Sequence, residues 1–323
     1  MRSSSPFTDQ TEFARLSGRC AYRLMTKTSL PDNSAELMEL TDRRSPNTVA
    51  ARFRRHKVAV VSLGIIAVLG FAAIFAPFIA IQDPYTVDLD SIRQPPSADH
   101  ILGTDSAGRD MWARMVYGAR ISMSVGFVAN VISISIGVLI GTVSGYVGGR
   151  IDNILMRFTE LVMNFPTFFA ILMLVALLGP NIINVMVVIG VLGWEGLARL
   201  LRAQVLSLRE QAFVEAARCI GTPHSRIVFR HILPNLQPYI LVAATLGVAG
   251  TILTESALSF LGLGVQIPQA SWGSMLNSAQ SLTVLTNSPW LWLPPGIAIS
   301  VAVLAMNFVG DGLRDAFDPR MEV

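Results

Sequence analysis

Long apolar runs without charge, separated by short polar segments, dominate the chain from residue 58 onward. The first, 58–81, holds 24 residues with no charged side chain. As a helix rising about 1.5 Å per residue it would extend about 36 Å, enough to cross a hydrocarbon core of about 30 Å. Similar runs predict further spans at 121–147, 160–178, 182–201, 238–261 and 290–309. Gly179-Pro180-Asn181 is a strong turn signal between the third and fourth. The expected fold is an all-α polytopic membrane protein with six transmembrane helices.

Within 121–147, Gly137, Gly141 and Gly145 recur at four-residue steps and therefore line one helix face. In lipid such a small-residue stripe lets a second helix backbone approach closely, so this face is expected to pack against another helix.

Charge placement sets the expected orientation. Arg52, Arg54, Arg55, His56 and Lys57 stand immediately before the first span, and such a cluster is retained on the cytoplasmic side. An even number of spans then puts both termini in the cytoplasm, together with the turn at 148–153 and the stretch 202–237. Arg150, Arg157, Arg199, Arg202, Arg209, Arg218, Arg226, Arg230, Arg314 and Arg320 all fall on that side or at its boundary, while 262–289 has no Lys or Arg. Arg93, Arg109, Arg114 and Arg120, in the first outer loop, are the exception. The chain divides into a polar cytoplasmic tail (1–50), the first span with its outer loop (51–120), a core of spans (121–310) interrupted by the polar stretch 202–237, and a cytoplasmic C-terminal tail (311–323).

Composition agrees with a membrane protein: charged residues are 15% of the chain, against roughly 25% in soluble domains. The formal charge of +3 does not indicate nucleic acid, because the basic residues flank apolar runs instead of gathering on one aromatic-rich face. Cys20 and Cys219 are the only cysteines, so no disulfide framework is expected and both default to reduced thiols. Residues 1–30 lack the apolar core of a secretory signal, and Met25 and Met38 are eligible alternative starts.

The stretch 213–237 is a polar insertion with its own helical periods. Phe213, Ala216, Ala217 and Ile220 share one face, Gly221-Thr222-Pro223 breaks the first helix, and Ile227, Val228, His231 and Ile232 give a second helix a similar face before Pro234 ends it. An exposed amphipathic hairpin of this kind fits a partner's groove, with the alanines allowing deep seating and Glu215 available to a basic residue.

The order Glu215-Ala216-Ala217, three residues, Gly221, then His231-Ile232-Leu233-Pro234-Asn235 resembles the EAA loop of bacterial ABC-importer permeases. Segments at 102–110, 117–122, 165–180, 259–264, 271–276 and 310–320 narrow the resemblance to the six-helix subunit of the dipeptide, oligopeptide and nickel branch, over about residues 50–323. The resemblance implies the type I permease fold and a role for Glu215, Ala216, Ala217, Gly221, His231, Pro234 and Asn235 in coupling to an ATPase. It also implies a second homologous permease, two cytoplasmic ATP-binding subunits, an extracytoplasmic solute-binding protein and residence in the bacterial inner membrane. ATP and magnesium would sit on the partners, with no cofactor in this chain. The expected solute is a peptide, with nickel or another small solute as the alternative. Glu195 and Asn164 depart from the family pattern, where small or neutral residues are commoner.

Candidate pathway or structural polar residues are Asn164, Glu195, Arg199 and Glu255. Glu195 stands four residues before Arg199, the orientation that favours an ion pair on one helix face. Glu255 has Thr251 and Ser259 one turn to either side, and the resemblance favours a helix-bundle role for it.

Enzyme signals are weak. The glycine spacing of Gly103–Gly108 continues into Arg109-Asp110 where a phosphate loop requires Lys and Ser or Thr. Asp99, His100, Asp105 and Asp110 lack the spacing of metal ligands. Gly310-Asp311-Gly312 is faintly similar to an intramembrane aspartyl protease, yet no facing span supplies a second aspartate. A secondary transporter is the other rival; it would show inverted repeats, of which only the Pro294-Pro295 interruption of the last span gives a hint.

Overall fold

A computed structural model describes residues 49–317. The principal helices are α1 (Lys57–Ile74), α2 (Met111–Val147), α3 (Gly149–Asn164), α4 (Thr167–Leu178), α5 (Ile182–Leu192), α6 (Glu195–Leu208), α7 (Ala212–Cys219), α8 (Leu233–Phe260), α9 (Trp272–Leu276) and α10 (Leu293–Phe317), with a short basic helix Val49–Arg55 ahead of α1 and further short helical turns between them. No strand occurs among the described residues. Of the predicted tails 1–50 and 311–323, residues 1–48 and 318–323 lie outside them, while 311–317 continue α10 as helix.

Among the described residues, five stretches are long and apolar enough to cross a membrane: Lys57–Ile74, Met111–Val147, Ile182–Leu208, His224–Phe260 and Pro289–Phe317. The pair α3 and α4, bent by 83°, passes the same test of length and composition only when taken together, and makes a sixth crossing if it is one broken span. The sequence predicted one continuous helix over 160–178, and the structure corrects this. Phe165 is extended (φ −86°, ψ 134°) ahead of Pro166, because the proline ring excludes the helical region for the residue before it.

Other boundaries move for identifiable reasons. The second span begins ten residues early, at Met111, because the Asp110 carboxylate accepts from Ala113 N–H at 2.8 Å and caps the helix. Arg114 and Arg120 therefore belong to α2 and not to an outer loop. Arg114 is buried, with its Nε 3.4 Å from the Asp105 carboxylate, which explains how a cation is accommodated there. Pro294 and Pro295 do not interrupt the last span. They occupy the first turn of α10, where a missing N–H costs nothing.

α2 is the central helix. It packs against α6, α8, α5 and α1, while α10 packs on α8 and α1. The glycine stripe lies in the contact between α2 and α6. A Cβ on Gly137 would come within 3.1 Å of the Trp194 carbonyl, one on Gly141 within 2.6 Å of the Ala198 carbonyl, and one on Gly145 within 2.7 Å of the Val205 Cβ. Asn130 ties α2 to α8 by donating to the Ala244 carbonyl at 2.7 Å.

One end of the bundle is closed by the segment before α2 and by α9. Asp105 accepts from the N–H groups of Ala107 and Arg109 and from Arg109 Nε. The His100 ring lies 3.0 Å from Asp110. A Cβ on Gly108 would fall 1.6 Å from the Asp88 carbonyl. The Ser91 hydroxyl and the Asp90 N–H hold the Asp88 carboxyl below the usual carboxylate range. The 102–110 segment is thus a polar knot that starts α2.

Candidate functional site

The opposite end of the bundle carries the segment singled out by sequence. α6 runs to Leu208 and the next span begins at His224, so only 209–223 of the predicted stretch 202–237, which includes α7, lies outside the spans. The expected second helix of a separate hairpin is instead the beginning of the fifth span. Pro234 does not end it. A π-turn at Val228–Ile232 precedes α8, its wider register places Leu233 N–H on the Val228 carbonyl, and Pro234 follows in the first turn of α8.

α7 is closed by a C-terminal motif built on Gly221. Thr222 N–H donates to the Ala217 carbonyl and Gly221 N–H to the Arg218 carbonyl, both at 3.0 Å, with Gly221 at φ +76°. This paired arrangement needs a left-handed residue, which glycine adopts without a side-chain clash. Pro223 then directs the chain into His224.

α7 buries Val214 and Ala217 in a cluster with Leu201, Val205, Ile227, Ile232 and Leu236. The four residues predicted to share a face are therefore divided. Ala217 turns into its own chain, while Phe213 (42% exposed) and Ile220 (81% exposed) face outward, with Ala216 and Glu215 at the margin. The His231 ring lies 6.4 Å from that of Phe213, and its carbonyl accepts from Asn235 Nδ2 at 2.6 Å. Pro234 and Asn235 are exposed. Cys219 is disulfide-bonded, not the reduced thiol expected; Cys20 lies outside the described residues.

Beside α7 is a cavity of about 620 Å³ whose polar lining includes Tyr146, Arg209, Glu210, Arg218, His224 and Ser225. Tyr146 joins the C-terminal end of α2 to the loop: its hydroxyl is 2.8 Å from His224 Nδ1, and the Arg218 guanidinium lies 5.5 Å from its ring centroid. Sequence reasoning missed Tyr146, because nothing in the local pattern links it to residues more than 70 positions away.

The intramembrane polar candidates separate. Glu255 is fully buried and accepts from Ser259 Oγ at 2.7 Å and Ser122 Oγ at 3.3 Å. Ser122 Oγ in turn accepts from Trp272 N–H at 3.1 Å, so Glu255 links α2, α8 and α9. Segments 259–264 and 271–276 acquire a packing rationale here: a Cβ on Gly264 would strike Ser259 Oγ, and one on Gly273 would lie 2.5 Å from the Ser256 Cα. The expected Glu195–Arg199 pair is absent from the ion pairs formed. Arg199 is exposed, whereas Glu195 Oε2 is enclosed with no hydrogen-bond partner. Both residues lie in α6, which starts at Glu195 after the break at Gly193 and Trp194, so helical spacing alone does not bring about the pair. Asn164 is exposed at the end of α3. Among the described residues, no group of three or more His, Cys, Asp or Glu could hold a metal ion.

Comparison with known proteins agrees with this architecture. The family model for the inner membrane component of binding-protein-dependent transport systems matches residues 137–323, and that for the N-terminal transmembrane domain of oligopeptide transport permease C matches 47–96. A protein of Brucella suis biovar 1 (strain 1330) named as a peptide permease is 46% identical over 274 residues, 85% of this chain and 91% of that protein. The oligopeptide transport system permease protein OppC of Haemophilus influenzae is 42% identical over 290 residues, 88% of this chain and 92% of the relative. The dipeptide transport system permease protein DppC of Bacillus subtilis (strain 168) is 42% identical over 270 residues, 84% of each. A polytopic helical bundle matched over most of its length by such proteins is a transport subunit and not an enzyme: the chain belongs to the family of inner-membrane permease components of binding-protein-dependent transport systems.

Proposed function

We propose that this chain is the permease subunit of an ATP-driven ABC importer that moves peptides delivered by an extracytoplasmic binding protein. Relatives named for dipeptide and oligopeptide transport support the peptide assignment. The complete pathway requires a second, homologous permease subunit and two cytoplasmic ATP-binding subunits, which carry the ATP and magnesium. Orientation follows the Arg52–Lys57 cluster, with both termini and loop 209–223 in the cytoplasm of a bacterial cell.

The observation that carries this reading is α7, a short helix held to the ends of α6 and α8 through Val214 and Ala217 while Phe213 and Ile220 face outward. Anchored on one side and apolar on the other, α7 is suited to seat in a groove of an ATP-binding subunit. Ala216 and Glu215 flank the contact, and the Gly221 turn returns the chain to the fifth span. Motion of the ATP-binding pair is then passed to α6 and α8, so nucleotide state and pathway opening bias one two-state equilibrium.

Reconstitution tests the assignment. Proteoliposomes with both permeases, both ATP-binding subunits and the binding protein should accumulate a labelled tripeptide only with ATP inside the compartment holding the ATP-binding subunits. Uptake without ATP, driven by an ion gradient, would refute it.

A further inference from the structure

α3 has three distinct faces. Asp152 and Thr159 are buried against the bundle. Ile154, Leu161 and Phe165 form an exposed apolar face, with Phe158 half-exposed at its margin toward the bundle. Asn153, Arg157, Glu160 and Asn164, at successive steps of four, three and four, fall on one line along the helix, and all four are exposed. Arg150, also exposed, flanks that line. Arg157 Nη1 and Glu160 Oε2 are 3.0 Å apart, with the two side chains 84% and 48% exposed.

The helix does not merely touch the spans at one point. Asp152 pairs with Arg202, and the Phe158 ring stacks on Trp194 at 6.0 Å, so α3 advances as α6 recedes. The two contacts are about 9 Å apart along α3 and about 12 Å apart along α6. α3 therefore follows the half of span Ile182–Leu208 that ends at loop 209–223, at membrane depth. A charged side chain facing lipid there would cost roughly 2.5–3.5 kcal/mol on insertion scales, whereas the neighbouring apolar face meets lipid without penalty.

The geometry points to the line Asn153, Arg157, Glu160 and Asn164 as a wall of the water-filled peptide path on the cytoplasmic side, contacting zwitterionic peptide cargo. Arg157 and Glu160 hold each other when no cargo is present. Each can exchange its partner for a peptide terminus of matching charge, the carboxylate on Arg157 and the ammonium on Glu160, while the asparagine amides offer both donors and acceptors to peptide backbone. This assignment rests on the importer reading above.

The test uses the full chain with Cys20 and Cys219 replaced by Ser, assembled with its partners in inside-out vesicles. Single cysteines at 153, 157, 160 and 164 are compared with cysteines at 154 and 161, using a membrane-impermeant charged methanethiosulfonate. Labelling of the first set and not the second is expected. Equal labelling of both sets would mean the helix lies in water, and would overturn the assignment. So would labelling of the first set only in the unassembled chain, since the face would then be covered by the second permease.

Uptake of trialanine tests the cargo contact. Arg157→Leu combined with Glu160→Leu should lower its rate roughly tenfold or more, the loss of a charge-assisted hydrogen bond to a peptide terminus, and Arg157→Lys with Glu160→Asp should restore most of it. Unchanged uptake in the leucine variant would remove the cargo role. Labelling is measured without ATP or peptide, so its outcome is independent of whether wild-type uptake proves ATP-driven.

Discussion

Asp152 and Arg202 form a bidentate pair, with Nε 2.6 Å from Oδ1 and Nη2 2.7 Å from Oδ2, that fastens α3 to α6 across 50 residues of chain. Ser144 Oγ of α2 donates to the same carboxylate, and Arg209 Nη1 donates to the Gly145 carbonyl at 3.0 Å. Three helices are therefore locked at the end that bears α7. Asp152 is 11% and Arg202 32% exposed, so the pair is only partly screened. Asp152→Asn or Arg202→Met should each destabilise the subunit by about 2–3 kcal/mol, below the range for fully buried pairs because of Arg202's exposure. Thermal unfolding of the complex in nanodiscs measures this, and the double variant should lose less than the sum of the two.

Close packing of α2 on α6 predicts a graded response to added side-chain volume. Gly141→Ala and Gly145→Ala place a methyl against the Ala198 carbonyl and the Val205 side chain. Each should cost about 1–3 kcal/mol from overpacking, and Gly141→Leu should abolish accumulation of folded subunit. Gly64→Ala and Gly70→Ala meet nothing within 4 Å beyond the adjacent backbone of their own helix and should leave accumulation in the membrane unchanged. Quantitative immunoblotting of membrane fractions distinguishes the two groups.

Glu195 carries an oxygen enclosed without a hydrogen-bond partner, a costly arrangement for a carboxylate. Glu195→Gln removes the charge at nearly constant shape and should raise the subunit's stability by about 1–3 kcal/mol. A calorimetric or dye-based melting shift reads the change, and a fall in melting temperature would mean that the charge is engaged by another chain of the complex.

The outward face of α7 predicts uncoupling without misfolding. Ile220→Asp removes no buried contact, so insertion and yield should be unchanged, and Phe213→Asp gives up only the ring contact to His231. Each should weaken engagement of the ATP-binding subunits by about 2 kcal/mol or more, the scale of an interface hot spot, with a roughly thirtyfold loss of peptide-stimulated ATP hydrolysis. Co-purification of the complex together with its ATPase rate separates loss of docking from loss of chemistry.

Much of this architecture is legible in the sequence because membrane depth imposes a simple rule on apolar length. The runs at 58–81 and 182–201 locate spans, and the four-residue glycine steps locate a face that α6 occupies. The sequence does not reveal the bend at Phe165-Pro166, because a proline within an apolar run can either kink or begin a helix. Nor does it separate the hairpin face: Phe213, Ala216, Ala217 and Ile220 satisfy helical spacing, yet burial follows Val214 and Ala217, whose neighbours Leu201 and Ile232 come from two different spans. Asp152 is a lone acid in an arginine-rich boundary, which signals a cationic partner without saying which arginine supplies it. Tyr146 and Ser122 gain their roles only from tertiary contacts.

Photo-crosslinking from position 220 tests the docking of α7 most directly. With Ile220 replaced by benzoylphenylalanine in the full-length chain, irradiation of intact cells expressing the whole complex should yield one dominant adduct, with an ATP-binding subunit. An adduct with the extracytoplasmic binding protein, or with no protein at all, would contradict the account.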